Sequence, residues 1–161
     1  MPLPALIIHG GAGAREGVHT TFRRYADSLD VIVESAWAVL RAEGAQAAVM
    51  RALRDLEDDP VFNAGLGSRL QADGAARMSA ALMDGATGRF AGVINVENIR
   101  HPIDVALSLH GSDHAVLAGD HSSRHAREVL GFEAFDQVTE HRRDGHGRSA
   151  AGRSGTVGAV A

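Results

Sequence analysis

The chain ends in a short apolar stretch that has the pattern of a buried strand. Residues 157–161 are small or β-branched, and the run before Gly155, residues 144–154, is polar and rich in glycine and arginine. This pattern predicts a flexible tether leading into a buried strand, with the hydroxyl of Thr156 at its entry. Because the chain stops where such a strand would gain another neighbour, we expect these residues to be part of a larger domain.

Thr156 has two interpretations. A β-branched residue at the start of a strand is ordinary, and these residues alone favour that structural role. A threonine can also act as a nucleophile if the peptide bond before it is cut. The freed α-amine, whose pKa is roughly 7.7–8.0 in short peptides, would then lie beside the hydroxyl and act as its general base.

Hydrophobic periodicity predicts an N-terminal strand followed by two helices. Residues 6–8 are an apolar run that stops at a glycine-rich loop, residues 9–13. From about Thr20 the apolar residues recur every three or four positions, which predicts an amphipathic helix ending near Gly44. A second helix follows and ends before Pro60, because the residue that precedes a proline disfavours helical geometry.

The second half of the chain combines short strands with short helices. Residues 77–84 and 90–96 flank a turn and predict a β-hairpin. We further expect a helix at 103–109, a strand or sheet edge at 115–118, a helix at 122–130, and irregular chain from 135, with a flexible linker at about 136–155. The order of one strand, two helices, a hairpin and a further helix suggests that strands and helices lie in separate layers, as in an α+β fold.

Composition excludes several classes of function. The 16 basic residues, all arginine, and the 20 acidic residues give a net charge of −4, which offers no electrostatic footprint for nucleic acid or an anionic membrane. There is no cysteine, so disulfides and thiolate chemistry are excluded. The sequence shows no signal peptide. It also has no apolar stretch of the roughly 20 residues that a membrane span requires. We therefore expect a cytoplasmic protein.

The glycine-rich loop that begins at His9 has more than one interpretation. Gly10 and Gly11 would allow backbone N–H groups to approach an anion or oxyanion closely, and a plain structural turn is the alternative. No Gly-Lys-Ser/Thr sequence follows, so the loop is not a Walker loop. No Gly-x-Ser-x-Gly sequence occurs in the chain, which disfavours an esterase.

Other polar clusters carry weaker signals. His121 and His125 are four residues apart and could share a helix face as metal ligands, but a surface role is favoured. Asp58, Asp59 and Asp84 lack the spacing of a calcium loop. The arginine-rich run at 142–153 contains glycine and serine but no aromatic residue, which is more typical of a solvated linker than of a polyanion site.

The loop at 59–67 is the least generic segment of the chain. Phe62 is a large apolar residue among turn residues, so we expect it to fill part of the core. Asn63 is followed by two glycines within four positions, which predicts a tight, irregular backbone. Carbonyl oxygens that point the same way in such a loop are suited to a hard cation such as sodium.

Taken together, four segments resemble the plant-type asparaginase and isoaspartyl aminopeptidase family, N-terminal-nucleophile hydrolases that are made as one precursor. The matching segments are residues 7–13, 56–68, 82–85 and 155–161. They occur in the order in which the family has them and extend over the whole chain. The second and fourth are specific. A related glycosylasparaginase branch is disfavoured because the chain has neither a cysteine nor a signal peptide.

The resemblance implies a fold and a set of site residues. The fold is a four-layer αββα sandwich, of which this chain would be roughly the first half. Residues 1–155 would be the α subunit and residues 156–161 the start of the β subunit, with cleavage between Gly155 and Thr156. Thr156 would be the nucleophile, Asn63 would reach its neighbourhood, and Gly10 and Gly11, after His9, would form a loop that influences cleavage. A structural sodium ion would be held by the carbonyl groups of Leu56, Glu57, Asp59, Phe62, Ala64 and Leu66.

The implied activity is hydrolysis of L-asparagine, of β-aspartyl dipeptides, or of both, in a complex of two α and two β subunits. Two departures qualify the resemblance. Ser79 stands where the family more often has aspartate, and most of the β subunit, which carries the family's other substrate-binding groups, is missing from the chain. The alternative is an inactive orphan fragment that serves as a structural or binding module.

Overall fold

The computed structural model describes residues 3–11, 19–146 and 158–160. The described residues combine helices and strands, which is consistent with the predicted α+β class. Their strands do not establish the four-layer sandwich. In chain order the elements are β1 Ile7–His9, α1 His19–Glu43, α2 Ala45–Asp58, β2 Met78–Asp84, β3 Arg89–Val96, α3 Pro102–Ser108, β4 Val116–Ala118, α4 Asp120–Arg124, the π-helical turn His125–Val129, α5 Glu140–His146 and β5 Gly158–Val160.

The two long helices form the frame of the described fold. Helices α1 and α2 pack against each other and are separated by Gly44 alone, whose φ of 96° lies in the left-handed region that glycine tolerates. The N–H of Gly44 donates to the carbonyl of Leu40 at 3.2 Å, so the predicted helix break at Gly44 is confirmed. Among the described helices, none is long and apolar enough to cross a membrane.

The described strands form two sheets. Strand β1 pairs antiparallel with β5, so that His9 lies opposite Gly158. Strands β2 and β3 form the predicted antiparallel hairpin, and β4 lies parallel to β3 at the other edge. Helix α3 lies in the connection between β3 and β4, as a crossover between parallel strands requires.

Helix α2 joins two apolar clusters. Its residue Met50 packs with buried side chains of β2, β3 and α3. Its residue Leu56 belongs to a second cluster, in which α1 contributes Ile32 and Ala36 and the loop after α2 contributes Phe62. Strands β1 and β5 pack against the second cluster, so the N-terminal and C-terminal strands meet beside the end of α2.

One face of the larger sheet is open to solvent. On β2 the alternation of a half-covered strand is clear, because Leu82 is 5% exposed and the adjacent Met83 is 67% exposed. Phe90 and Ile94 on β3 and Val116 on β4 are also exposed apolar residues. A contiguous apolar surface of this kind is typical of a sheet that packs against another polypeptide layer.

The chain after Phe135 is more ordered than its sequence indicates. The expectation of irregular structure is wrong for Glu140–His146, which is helical. The hydroxyl of Thr139 accepts a bond from the N–H of Arg142 at 3.4 Å, which is how an N-cap residue satisfies the first turn of a helix. Gln137 is only 2% exposed and its side-chain amide donates to the carbonyl of Ala76 at 2.9 Å. These tertiary contacts outweigh the weak helix propensity of a short polar segment.

Candidate functional site

The glycine loop after β1 lies directly against the loop after α2. A Cβ atom added at Gly10 would be 2.7 Å from Cε1 of Phe62, so no side chain fits between them. Phe62 is 1% exposed, and its ring packs against that of Tyr25 with centroids 5.9 Å apart. The predicted burial of Phe62 is therefore confirmed, and the structure brings together two segments that lie about fifty residues apart in sequence.

The backbone turns sharply after His9. The N–H of Gly11 donates to Nδ1 of His9 at 3.3 Å, and Gly11 has a φ of 106° that a residue with a side chain rarely adopts. His9 is also the last residue of β1 and pairs with Gly158. Gly155 and Thr156 lie outside the described residues, and Gly158 is two positions after Thr156 in the sequence.

Asn63 lies in the same loop as Phe62. Its Oδ1 accepts a hydrogen bond from the backbone N–H of Arg69 at 2.8 Å, and the side chain is partly buried. This bond closes the loop between the two residues. The loop of Asn63 also lies beside Gly10, because the neighbouring Phe62 packs against that glycine.

The loop folds back onto the end of α2. The N–H of Leu66 donates to the carbonyl of Glu57 at 2.6 Å, and the N–H of Phe62 donates to that of Asp59 at 3.1 Å. A Cβ atom at Gly65, where φ is 47°, would lie 2.0 Å from the Glu57 carbonyl oxygen. Glycine is therefore required at this crossing of the two backbone segments.

Several carbonyl oxygens of this loop have unused hydrogen-bonding capacity. The helical partner of the Leu56 carbonyl would be the N–H of Pro60, and proline has none. Within the described residues, no N–H or hydroxyl donates to the carbonyl oxygens of Phe62, Ala64 or Leu66 either. Neutral carbonyl oxygens with free lone pairs are suited to a hard cation.

Acidic and histidine side chains do not assemble into a metal site in the described part of the chain, where no group of three or more such residues could hold an ion. Asp58 accepts a bond from Nε of Arg100 and contacts Nε2 of His101, both at 2.8 Å. Partial burial opposes ionisation of Asp58, yet these bonds outweigh it and hold its pKa below the usual range. Asp58 therefore ties the end of α2 to the start of α3.

His121 and His125, the possible metal pair, have separate partners. His121 contacts Arg124 at 2.8 Å, and His125 contacts the hydroxyl of Ser108 at 3.2 Å. Asp84, in turn, accepts bonds from the N–H of Ala86 and the hydroxyl of Thr87 within the hairpin turn. His121 and Asp84 thus have partners close in sequence, and His125 contacts the last residue of α3.

Glu57 is a buried carboxyl at the junction of α2 and α3. It is 5% exposed, and its Oε1 accepts a bond from the backbone N–H of Ile103 at 3.2 Å. Its other oxygen, Oε2, has no hydrogen-bond partner among the described residues. Burial raises the pKa of Glu57 well above its ordinary value, although the bond from Ile103 opposes the shift.

Ser79 occupies an irregular position of the hairpin. Its hydroxyl accepts a bond from the backbone N–H of Asn95 at 3.2 Å, where the register between β2 and β3 shifts. Asn95 has a φ of 54°, which asparagine tolerates better than most residues. The hydroxyl thus completes a local bulge, a role that the sequence did not indicate.

Two residues of the site region could not be identified from the sequence. The carbonyl of Gln137 accepts a bond from the N–H of Gly67 at 2.8 Å, and Nε of Arg142 donates to the carbonyl of Gly67 at 2.7 Å. Both residues come from the stretch that the sequence predicts to be irregular. A lone glutamine and an arginine in a polar run carry no periodic signal that could have revealed these contacts.

Comparison with known proteins identifies the family of the chain. A family model described as asparaginase matches residues 2–153. The chain belongs to the asparaginase family. It is 44% identical over 138 residues to a protein named isoaspartyl peptidase/L-asparaginase from Nostoc, with 85% of this chain and 43% of that protein covered. It is 37% identical over 141 residues to a plant-type L-asparaginase of Thermococcus kodakarensis, and the match covers 87% of this chain and 45% of that protein.

A third asparaginase-family relative carries a narrower name. The isoaspartyl peptidase of Salmonella typhimurium is 38% identical over 120 residues, which cover 71% of this chain and 38% of that protein. The chain spans less than half the length of each of these three relatives. The names of the relatives include both asparaginase and isoaspartyl peptidase, so family membership is consistent with an amidohydrolase and does not choose between the two substrates.

Replacing Gly65 by alanine tests whether the loop crosses the end of α2 as described. We expect Gly65→Ala to lower the free energy of unfolding by roughly 3 kcal/mol or more, because the new Cβ overlaps the Glu57 carbonyl as well as straining the backbone. Gly74→Ala is the matched control, since Gly74 also has a positive φ, 83°, but open space around it. It should cost only about 1 kcal/mol. Equal losses in denaturant titrations would contradict the crossing.

Replacing Glu57 by glutamine tests the buried carboxyl. The pKa of Glu57 is raised in the folded state, so the unfolded chain loses this proton at a lower pH than the folded protein does. The carboxyl therefore favours unfolding increasingly as the pH rises above 4.5, the ordinary pKa of glutamate. Glu57→Gln keeps an acceptor for Ile103 and removes this penalty. The stability of the variant relative to the unsubstituted protein should therefore increase from pH 4.5 toward neutrality, measured by urea unfolding. A difference that does not change with pH would contradict the assignment.

Proposed function

We propose that the chain is the α portion of an N-terminal-nucleophile amidohydrolase that acts on L-asparagine, β-aspartyl dipeptides, or both. Thr156 would be the nucleophile, generated by cleavage of the Gly155–Thr156 bond. Family membership supports the class of reaction, and the names of the relatives support the choice of substrates. The hydrolytic machinery would be completed by a β portion that continues from Thr156.

One observation carries this proposal more than any other. Strand β5, whose first residue Gly158 follows Thr156 by two positions, pairs with β1, which ends at His9. The next residue after His9 is Gly10, and Gly10 lies against Phe62, the neighbour of Asn63. The strand that follows the proposed nucleophile is therefore anchored beside the two loops that the family resemblance assigns to the site.

The residues are suited to self-cleavage. The hydroxyl oxygen of Thr156 would attack the carbonyl carbon of Gly155, and the peptide bond would be exchanged for an ester as its nitrogen becomes the free α-amine. Gly155 has no side chain to hinder the backbone geometry that this attack requires. Water would then hydrolyse the ester, which leaves a carboxylate on Gly155 and a free hydroxyl on Thr156.

Substrate turnover would use the same hydroxyl. The α-amine of Thr156 accepts the hydroxyl proton while the oxygen attacks the side-chain amide carbon of the substrate. The proton then passes to the leaving nitrogen, and ammonia or an amino acid departs. Water hydrolyses the resulting ester and releases aspartate, which regenerates the free threonine. The backbone N–H groups near Gly10 and Gly11 would lie close to this chemistry.

The complete fold would be a four-layer αββα sandwich. The open apolar face of the larger sheet, with Met83, Phe90 and Ile94 exposed, supports a second layer packed against it. The chain spans 43% of its relative from Nostoc, so a relative of full length has ample residues for that layer. We propose that the β portion supplies it, and that two α and two β subunits form the assembled enzyme.

A sodium ion would have a structural role in this enzyme. The carbonyl groups of Leu56, Glu57, Asp59, Phe62, Ala64 and Leu66 would hold it, and the unused lone pairs described above are consistent with that role. The ion would keep the loop in the shape that presents Asn63. It would take no part in bond making.

Exchange of the cation tests the sodium proposal. Replacing sodium by choline at constant ionic strength should lower the midpoint of thermal unfolding, because only sodium can bind the folded loop. The loss should be absent in Gly65→Ala, whose loop cannot keep its shape. A midpoint that is the same in both salts would contradict the sodium site.

The second candidate is an orphan fragment of the same fold that serves as a binding module. It is favoured by the same exposed sheet face, which would then be an interaction surface. The gene sequence downstream of this chain distinguishes the two candidates. A reading frame that continues beyond Ala161 into the rest of a β subunit supports the enzyme, and its absence supports the module.

Substitution of Thr156 in the complete protein tests the nucleophile. Thr156→Ala should abolish ammonia release from L-asparagine, because no hydroxyl remains to attack the amide. Thr156→Ser keeps a hydroxyl and should retain measurable activity. The 161-residue chain alone should release no ammonia. Activity of Thr156→Ala above the uncatalysed rate would overturn the assignment.

A further inference from the structure

Arg142 is a partly buried cation that lacks an anionic partner in the described part of the chain. Its Nε donates to the carbonyl of Gly67 at 2.7 Å, and its terminal nitrogens donate to no acceptor among the described residues. Every other arginine there is either exposed or within ion-pair distance of a carboxylate. Arg54 and Arg77, which are also partly buried, both have such partners.

A second cation lies near Arg142. Gly67, which Arg142 contacts, is two residues before Arg69, and the backbone of Arg69 is held by Asn63. Burial first, and then the positive charge of Arg69, lower the pKa of Arg142. The phenol of Tyr25 is within electrostatic range of the same guanidinium group. Two neighbouring positive charges without a carboxylate are unfavourable unless an anion joins them.

The lack of a partner does not reflect a shortage of acidic residues. The chain has 20 of these against 16 arginines, and the adjacent Arg143 is paired with Asp136 and donates to the carbonyl of Val138. Two neighbouring arginines of α5 thus differ in their hydrogen bonding. The guanidinium group of Arg143 is satisfied within the described chain, and that of Arg142 has donors to spare.

We propose that Arg69 and Arg142 form a binding site for a small oxyanion, either a carboxylate or a phosphate group. The bond to Gly67 fixes one edge of the Arg142 guanidinium and leaves its terminal nitrogens for a planar, two-point contact with the anion. Arg69, an exposed residue two positions after Gly67, would contribute the second positive charge. The site lies beside the loop of Asn63 and goes beyond the proposed hydrolysis, because it requires neither Thr156 nor a β portion.

Calorimetric titration of the native, complete protein tests this site. Inorganic phosphate and acetate are the probes, each added at low ionic strength. We expect one anion per chain, with binding weakened about tenfold by Arg142→Gln or by Arg69→Gln, since each removes one charge-assisted contact. Arg143→Gln is the matched control and should leave binding unchanged. Added sodium chloride should weaken binding through screening.

The two probes separate the sources of the anion. Tighter binding of phosphate indicates a phosphate-bearing ligand, and binding of acetate that is equal or tighter indicates a carboxylate; both outcomes support the site. Absence of saturable binding by either probe would overturn the proposed site. This includes the case in which a carboxylate of the polypeptide already occupies the two arginines, so that Arg142→Gln destabilises the protein. Arg69→Gln, at an exposed position, keeps the test valid if Arg142→Gln does not fold. Binding that survives Arg69→Gln unchanged would also overturn the proposal.

Discussion

The contact between Gly10 and the ring of Phe62 is the interaction on which the arrangement of the site depends. The ring occupies the space where a side chain at position 10 would be, because a Cβ atom there would lie 2.7 Å from Cε1 of the ring. The loop after β1 can therefore approach only as glycine. Phe62 is also part of the apolar cluster that includes Leu56 of α2 and Ala36 of α1. Burial of one aromatic ring thus fixes the position of two loops and of the strand that leads into one of them.

The end of α2 is the second point at which separate parts of the structure meet. Pro60 stops the helix and leaves a carbonyl without its helical donor, and Gly65 allows the loop to return within hydrogen-bonding distance of Glu57. The side chain of Glu57 accepts the N–H of Ile103 in α3. One turn of helix thus connects the loop beside the glycine segment with the cluster that supports the larger sheet.

Much of this fold follows from local sequence patterns. The spacing of apolar residues predicts the two long helices, Gly44 predicts the break between them, and alternation on both sides of a turn predicts the β2–β3 hairpin. Those features depend on neighbouring residues, whose periodicity is visible in the sequence. The family motifs also identify the loop of Asn63, but they do so by resemblance and not by physical argument.

The rest depends on contacts between distant residues, which no local pattern encodes. The helix Glu140–His146 is short and polar, and it is supported by the cap at Thr139 and by the bond from Arg142 to Gly67. Gln137 is buried because Gly67 and Ala76 provide its partners. The approach of Gly10 to Phe62 likewise results from the packing of α1 and α2, so the two loops could be recognised separately in the sequence but not placed side by side.

Strand β5, which begins two residues after Thr156, pairs with β1 beside His9, and we propose that this pairing positions the Gly155–Thr156 bond for cleavage. An intact mass spectrum of the protein, as produced from its native gene, tests this most directly. We predict one polypeptide that ends at Gly155 and a second that begins at Thr156. A single uncut mass that extends across this bond would contradict the claim.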